Sequence, residues 1–568
     1  MSGTGTVGTF RGVEVSNSTL SLVRGMNKVD PAKAVAIAKD IAAHPNFPDF
    51  YTQVAALYGE HPTEVDKLSR LILGISDPAF IAKNLVTTDF SGALRGPGNA
   101  NGIFTTDDVK ALAPKLLAAL EEMNGWTRTG LTAPGDEKNR IAWPLAPFED
   151  STNLEKFAPT DESNVIAYGR NLFKQFGGRV LALGVGGSSN GPRVLTGAFQ
   201  FEQAMHAGHT FSSDAIRATV KNLVSGEKRG HIIVTSLSGT TPETLTNLLI
   251  SLDMIFSELQ RAGIPRREWR QYVTVLTGGK DSVLRQIAGK FDLPIFYCKS
   301  YEGGRFSIWT VIGTLWAEAN GVDSSVAKAG AMLSQYRIWD KDIWRNPAML
   351  QAAIDTLAQA RGITLKENLI FDDRLGDYGN FYAQAWDESV EEVNREGRAL
   401  GLRARTDIGP NWQHIGAEGL LGVPQGVVAQ LFWVQRANNP YQLHVLDELK
   451  GLRLGAGTLS DLEGKSLDDF RTQAVKGGWS SFVGRGIPTS LTLIPQLTPF
   501  TLGMMTQDTF GEVGFYGGAN DLGFLTYIQP WVVLHKALGR GETDKVLTME
   551  NGAECAAAMK VFTDKFGA

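Results

Sequence analysis

The sequence predicts an α/β protein with two doubly wound parallel-sheet domains and helical segments at both ends. From about residue 165, short β-rich runs alternate with amphipathic helical stretches. Each of these runs is apolar along most of its length, which is typical of strands buried on both faces of a parallel sheet. No internal repeat with a period of roughly 20–50 residues is found, so a solenoid or propeller is not expected.

The N-terminal region is predicted to be an irregular arm followed by helices, over residues 1–145. The first 30 or so residues are rich in Gly, Ser and Thr. Helical periodicity follows in PAKAVAIAKDIAA, which starts at Pro31, and in DDVKALAPKLLAALEEM. The Pro- and Gly-marked stretch TRTGLTAPGDEKNRIAWPLAPFED then indicates a domain boundary.

Two α/β domains are predicted after this boundary, over residues 146–330 and 331–568. The first contains the strand-like runs RVLALGVG, HIIVTSLS, YVTVLTGG and LPIFYC. The second begins its α/β pattern near Lys366 with ENLIFDD and contains GVVAQLFWVQ. It is predicted to end in a helical segment that includes TYIQPWVVLHKAL.

Composition narrows the functional classes. Of 568 residues, 43% are hydrophobic and 20% are charged, which favours a globular, water-soluble protein over a disordered chain or a membrane bundle. The net charge of −5 does not favour binding to nucleic acid or to anionic membranes. Only Cys298 and Cys555 are present and no secretory signal pattern opens the chain, so a reducing, cytoplasmic location is expected.

A small-residue turn, GVGGSSNGP, follows the first of these strands at Gly184–Pro192. Small residues at a strand-to-helix turn let backbone N–H groups approach a phosphate at the positive end of the helix. The dinucleotide fingerprint Gly-x-Gly-x-x-Gly is incomplete, because Ser189 stands at its last Gly position. The turn therefore indicates either a phosphate loop or a tight turn without a ligand.

A hydroxyl-rich turn, SLSGTTPET, lies between the strand HIIVT and a helical run. Any one hydroxyl there can cap the helix. Together Ser236, Ser238, Thr240 and Thr241 form a larger set of donors than capping needs, and the helix N-terminus adds free N–H groups. This turn favours binding of a phosphoryl dianion.

Three further segments carry candidate catalytic groups. Arg305 follows two glycines in YEGGRFS, which can hold a permanent charge in a cleft, although a surface Arg is the alternative. In NFYAQAWDES, Gln384 and Glu388 are four residues apart and share one helix face beside aromatic residues, so Glu388 is a candidate base. His414, in GPNWQHIG, has the setting of a proton-transfer group, although a lone His is often structural.

No metal site is predicted. His206 and His209 are separated by two residues, but no other clustered ligands accompany them.

The order of these motifs, from Gly184 to Lys536, resembles the glucose-6-phosphate isomerase (phosphoglucose isomerase) family with its tandem sugar-isomerase (SIS) domains. That family combines a Gly-x-Gly-Gly-Ser turn, a Ser/Thr-rich phosphate loop, a Gly-Gly-Arg turn and a Gln-x-x-x-Glu-Ser helix. A Gln-His loop and a late Gln-(x)6-Lys helix complete its site. Each motif has a counterpart here, so the resemblance implies two αβα SIS-type domains.

The resemblance also implies the role of each residue. Glu388 would be the base for the carbon acid, Arg305 the cation that stabilises the enediolate, and His414 with Lys536 the ring-opening pair, with Gly304 keeping the Arg305 turn tight. Family members donate this His across a dimer interface, so a homodimer is expected. The substrate would be held by the following residues: Gly187, Ser188, Ser236, Ser238, Thr240, Thr241, Gln384 and Gln529.

Several positions depart from the family pattern. Leu237 occupies a position that is often Lys, Trp412 and Ile415 flank the Gln-His pair, and Val533 replaces a carboxylate near Lys536. Most of these changes lie in the two motifs that the resemblance assigns to ring opening, whereas the base motif is kept.

The reaction implied is aldose–ketose isomerisation of a phosphorylated sugar through a cis-enediol, in glycolysis and gluconeogenesis, with no cofactor. Two other hypotheses stay open. One is an isomerase of a related phosphosugar, such as mannose 6-phosphate, or of a sulfosugar. The other is a non-catalytic phosphosugar-binding SIS protein, which the simultaneous presence of Arg305, Glu388, His414 and Lys536 disfavours. An oxidoreductase is more distant still, because its fingerprint is incomplete.

Overall fold

The fold is described from a computed structural model. The structure describes the following residues: 6–10, 13–16, 83–97, 99–129, 143–148, 165–199, 205–207, 212–224, 229–239, 241–278, 282–298, 303–390, 394, 396–398, 400–424 and 426–522. The late helical segment predicted at TYIQPWVVLHKAL, and the early helix predicted from Pro31, lie outside these ranges.

The chain divides into two compact units, each assembled from three stretches. Unit 1 comprises Met1–Ala118, Ser325–Ala383 and Arg398–Asn520, and unit 2 comprises Ala119–Ser324, Gln384–Gly397 and Asp521–Ala568. The sequence predicts contiguous domains with boundaries at 145/146 and 330/331. Those boundaries stay a prediction, whereas the units grouped by contact interleave along the chain.

Strands in the described ranges form two main sheets and two short ribbons. In chain order the strands are β1 (Thr6–Phe10), β2 (Val13–Ser16), β3 (Thr87–Asp89), β4 (Val180–Leu183), β5 (Met205–Ala207), β6 (His231–Ser236), β7 (Val273–Thr277), β8 (Ile295–Tyr297), β9 (Leu365–Ile370), β10 (Arg403–Ile408), β11 (Val427–Arg436), β12 (Arg453–Leu454), β13 (Gly457–Thr458) and β14 (Thr489–Gln496).

The helices in the same ranges run through both units. They are α1 (Thr106–Thr129), α2 (Val165–Phe176), α3 (Gly187–Gly197), α4 (Ser213–Val224), α5 (Pro242–Arg261), α6 (Val283–Phe291), α7 (Val311–Ala319), α8 (Ser324–Ile338), α9 (Pro347–Ala360), α10 (Gly376–Val390), α11 (Ala417–Gly422), α12 (Leu467–Gly484) and α13 (Pro499–Ala519).

Unit 2 contains a five-stranded, fully parallel sheet in the order β5-β4-β6-β7-β8. Alternate residues of β4 face opposite sides, as the pleat requires. Leu181 and Leu183 pack with α4, α5 and α6, whereas Val180 and Ala182 pack with α2 and α7. The sheet is therefore covered on both faces, and the doubly wound αβα prediction is confirmed for this unit.

Unit 1 contains the second main sheet, in the order β10-β9-β11-β14-β3. The first four strands are parallel, and β3 pairs with β14 in the antiparallel direction. One face is apolar, where Leu369 and Leu431 pack with Phe482 of α12. The parallel α/β prediction is confirmed, with an antiparallel edge strand added.

Two expectations for the N-terminal region are corrected. Residues 6–16 contain the antiparallel pair β1–β2 within the predicted irregular arm. Strand β3 lies in the region predicted to be mostly helical, and it supplies the edge of the unit 1 sheet. Strand β3, with the sequence TTD, has no apolar pattern by which to recognise it, because its pairing with β14 determines its conformation. The helix predicted at DDVKALAPKLLAALEEM is confirmed as part of α1.

The middle of the unit 1 sheet carries a buried charged cluster. Lys366 of β9 is fully buried and donates hydrogen bonds to Asp355, at 2.6 Å, and to Glu512. The Tyr382 hydroxyl donates to Glu512 at 2.7 Å. Burial raises the pKa of Glu512 to about 8, because the interior penalises its charged form. The cluster is therefore a satisfied internal network with little net charge.

Candidate active site

The hydroxyl-rich turn follows β6 at the carboxyl end of the unit 2 sheet, where parallel sheets place ligands. The Ser236 Oγ lies 2.8 Å from the Thr241 Oγ1 and 3.4 Å from the Ser238 Oγ. The backbone N–H of Gly239 donates to the Ser236 Oγ at 3.0 Å. The structure therefore brings three of the predicted phosphate ligands together. Thr240 lies outside the described residues.

The conformation of this turn requires a glycine and leaves a helix N-terminus open. Gly239 has a φ of 68°, and a Cβ added there would lie 2.2 Å from the Ser282 Oγ. Within the described residues, the Thr241 hydroxyl makes no capping bond to α5. Helix capping therefore does not explain this hydroxyl, and its position favours an external anion.

The small-residue turn after β4 approaches a second turn very closely. A Cβ on Gly187 would lie 2.0 Å from the carbonyl carbon of Gly304 and 2.3 Å from the Arg305 nitrogen. Gly186 precedes α3 with a φ of 56°. Ser188 is the second residue of α3 and is half-buried. Gly187 is therefore needed so that the two turns can touch, whereas a Cβ on Gly304 would lie 3.7 Å from the Gly187 Cα, an ordinary contact.

Arg305 is buried at the start of a 3-10 turn that spans Gly304–Trp309. Its Nε donates to the Ser389 Oγ at 2.7 Å. Its guanidinium carbon lies 4.9 Å from the centre of the Phe306 ring. A guanidinium held by a hydrogen bond and a ring face is a fixed, permanent positive charge.

Gln384 and Glu388 share one face of α10, as their spacing predicts. The Gln384 Nε2 donates to the Glu388 Oε1 at 2.9 Å. The Glu388 Oε2 lies 3.8 Å from the Arg305 Nη1, and the Glu388 side chain is 37% exposed. The carboxylate is thus held at two sides while one part stays open to a substrate.

Gln384 also accepts a hydrogen bond that the sequence analysis does not predict. The Asn190 Nδ2 donates to the Gln384 Oε1 at 2.7 Å, across 194 positions of the chain. Sequence reasoning misses both Asn190 and Ser389, because their importance depends on contacts with distant residues. The signal that could have found them is their place inside the motifs GVGGSSN and QAWDES.

The predicted ring-opening residues are not tested by the structure. His414 belongs to unit 1, where it is exposed at the end of a 3-10 turn that spans Asn411–His414. Gln529 and Lys536 lie outside the described residues. Their roles stay predictions.

Neither a metal centre nor a membrane span is found among the described residues. Across that part of the chain, no His, Cys, Asp and Glu side chains gather in threes around a possible metal position. No helix in the same ranges has the length and apolar character needed to cross a bilayer.

Comparisons with known proteins show to which proteins this chain is similar. A family model described as Phosphoglucose isomerase matches residues 170–414. A glucose-6-phosphate isomerase of Thermus thermophilus is 25% identical over 362 residues, which cover 63% of this chain and 82% of that protein. The glucose-6-phosphate isomerase of Carboxydothermus hydrogenoformans is 26% identical over 400 residues, which cover 67% of this chain and 79% of that protein.

Two solved structures share the fold. A hypothetical protein of Thermus thermophilus aligns with a TM-score of 0.65 at 20% identity, covering 80% of this chain and 99% of that chain. A glucose-6-phosphate isomerase of Chlamydia trachomatis aligns with a TM-score of 0.59 at 16% identity. The alignment covers 85% of this chain and 97% of that chain.

The parallel sheet of unit 2, with two small-residue loops at its carboxyl end and a Gln–Glu helix beside them, defines an α/β protein of the SIS class. Such a site is suited to a phosphorylated sugar and to proton transfer at carbon. Residues 170–414 match the phosphoglucose isomerase family, and the chain is similar over 362–400 residues to glucose-6-phosphate isomerases.

Proposed function

We propose that this protein is an aldose–ketose isomerase that interconverts glucose 6-phosphate and fructose 6-phosphate through a cis-enediol intermediate. One observation carries the proposal: a partly exposed carboxylate, Glu388, lies 3.8 Å from a buried guanidinium, Arg305. Both belong to the unit that holds the hydroxyl-rich loop. Relatives with the name glucose-6-phosphate isomerase support the choice of substrate.

The mechanism assigns one step to each group. Glu388 removes the proton from C2 of the open-chain aldose and returns it to C1. The C1 oxygen gains a proton as the cis-enediol forms, and the C2 hydroxyl loses its proton as C2 becomes the ketone, so the protons balance. The C2 proton is weakly acidic, and Arg305 supplies a preorganised positive charge for the oxygen that becomes anionic. Ser236, Ser238 and Thr241 hold the phosphate, so that binding energy at a remote group orients the reacting carbons.

Ring opening precedes this proton transfer. In the proposal, His414 and Lys536 move a proton between the ring oxygen and a neighbouring hydroxyl, as the family resemblance implies. A cytoplasmic homodimer that acts in glycolysis and gluconeogenesis is part of the same proposal.

The proposal is tested by comparing the isomerase activity of the full-length wild type with that of a variant that lacks the base. Conversion of fructose 6-phosphate is followed by coupling glucose 6-phosphate formation to a dehydrogenase. Glu388→Gln is expected to lower kcat by about 10³-fold while substrate binding is kept, since it removes the general base. Glu396→Gln, an exposed change in the same chain segment, is the matched control and should retain full activity.

Exchange of the C2 proton with water tests whether the reaction passes through the cis-enediol intermediate. The wild type should release deuterium from C2 of labelled glucose 6-phosphate into water, and Glu388→Gln should not. An active Glu388→Gln enzyme would reassign the base. A wild type that binds the phosphosugar without converting it would favour the binding-protein hypothesis, and conversion of another phosphosugar alone would reassign the substrate.

A further inference from the structure

Asn190 stands at one end of a continuous hydrogen-bonded chain that reaches the proposed base. Its Nδ2 donates to the Gln384 Oε1 at 2.7 Å, and the Gln384 Nε2 donates to the Glu388 Oε1 at 2.9 Å. All three residues belong to unit 2. The first loop motif, GVGGSSN, is therefore connected to the base as well as to the phosphate.

The order of donors and acceptors in this chain fixes the orientation of one amide. A glutamine amide has an acceptor oxygen and a donor nitrogen, and a half-turn about its last bond exchanges them. The carboxylate of Glu388 accepts only, so it requires the Gln384 nitrogen on its side. Asn190 donates to the Gln384 oxygen on the opposite side. The carboxylate therefore selects the orientation of the Gln384 amide, and the Asn190 hydrogen bond stabilises it.

The same loop also limits the space around this amide. A Cβ added to Gly186 would lie 3.0 Å from the Gln384 Nε2, closer than nearly all such contacts. Gly186 adopts a positive φ of 56°. The loop thus leaves room for the Gln384 side chain at Gly186 and holds it by a hydrogen bond at Asn190.

We propose that Asn190 is a positioning residue, which acts through Gln384 to hold the Glu388 carboxylate in its reactive orientation. With the Gln384 amide fixed, the Glu388 Oε1 is occupied and the Oε2 is directed towards Arg305. Without the Asn190 donor, the Gln384 Oε1 loses its partner, and only the bond to Glu388 restrains the amide, so the Gln384–Glu388 pair is held less rigidly. The proposal rests on the proposed function, because it assigns Asn190 to the same reaction.

Two substitutions separate this role from packing. Asn190→Asp keeps the size but replaces the donor by an acceptor, so Gln384 is expected to turn away from Glu388. We expect kcat to fall about 30- to 100-fold in Asn190→Asp and about tenfold in Asn190→Ala, with KM changed less than about threefold. Asn222→Asp, the same change on the exposed face of α4, is the control and should match the wild type.

A double substitution tests whether Asn190 acts through Gln384. If it does, Asn190→Ala combined with Gln384→Ala should lower kcat no further than Gln384→Ala alone. Multiplicative losses, or an Asn190→Asp enzyme as active as the control, would overturn the proposal.

A structural measurement keeps the proposal testable if the proposed function fails. The Asn190→Asp crystal structure should show the Gln384 nitrogen beyond hydrogen-bond distance of the Glu388 Oε1. An unchanged Gln384–Glu388 contact would refute the positioning role, whatever the activity. A wild type without isomerase activity would refute the proposed function instead, and the crystal structure would still decide whether Asn190 orients Gln384.

Discussion

The two main sheets place their polar residues at different points along the strands. In unit 2, β6 is buried along its whole length, and hydroxyls gather where the strand ends, at Ser236 and beyond. In unit 1, β9 carries Lys366, Glu367 and Asn368 in its middle, all buried. Polar groups at a strand end can meet a ligand, whereas a buried charge within a strand, such as Lys366, needs partners inside the protein.

We therefore expect the polar groups of the unit 2 loop to serve binding and those of the unit 1 cluster to serve stability. The hydroxyls of the unit 2 loop form a donor surface that can serve an external anion. The Lys366 cluster in unit 1 has its partners inside the protein. It therefore stabilises the fold only while all of its members are present. Removing a loop hydroxyl should therefore change substrate binding, and removing a cluster member should change the free energy of unfolding.

Lys366→Met is expected to have the largest effect on stability. It leaves Asp355 and Glu512 without their cation in a buried site, which should lower the unfolding free energy by about 3–5 kcal/mol. Urea denaturation followed by circular dichroism measures this loss. Lys476→Met, at an exposed position of α12, is the matched control. A loss below about 1 kcal/mol would show that the cluster tolerates the absence of its cation.

Glu367→Gln should change how stability depends on pH. Burial, and then the hydrogen bond with Asp407, raise the pKa of Glu367 to about 8. The folded chain keeps this proton up to about pH 8, whereas the unfolded chain releases it near its ordinary pKa of 4.5. The folded state therefore binds more protons between these values, and the wild type loses stability as pH rises through them.

The variant lacks this group, so its free energy of unfolding should change less between low and high pH, by on the order of 1–3 kcal/mol. Denaturation midpoints between about pH 5 and pH 9 measure the difference. Glu448→Gln, at an exposed position, should leave the wild-type slope unchanged. A parallel slope in Glu367→Gln would mean that other buried acids, such as Glu512, dominate the pH dependence.

Thr241→Ala is expected to have the smallest effect, and that effect should appear in binding. The variant removes one hydroxyl from the loop while the Ser236 and Ser238 hydroxyls remain. KM for fructose 6-phosphate should rise about tenfold with kcat within about threefold. Ser257→Ala, on the exposed surface later in α5, is the control. A loss confined to kcat would remove Thr241 from the phosphate site.

The sequence predicts strands that are apolar along most of their length, including the edge strand β8, and misses more polar ones, including the interior strand β14. It predicts β4, β6 and β7 because a fully buried strand is apolar throughout, whatever its neighbours. It does not predict β10, which has Arg403, Arg405 and Asp407 in six residues and so carries the polar pattern of an edge strand. The three-residue strands β3 and β5 depend on pairing with distant residues, which no local pattern records.

The candidate site shows the same limit. Glycines, hydroxyls and the Gln–Glu spacing identify the loops and the helix, because each motif is local. Asn190 and Ser389 gain their importance from partners that lie 194 and 84 positions away. Such contacts follow from the folded geometry, so residue pattern alone could not assign them.

The contact between Gly187 and Gly304 also bears on how the protein folds. Two turns that are far apart in the chain meet here, and closing such long loops is slow relative to forming local helices. An incompletely folded chain can therefore have native-like helix content without the proposed active site. During refolding, the return of turnover should lag behind the return of helix signal, so that activity reports the last step of assembly.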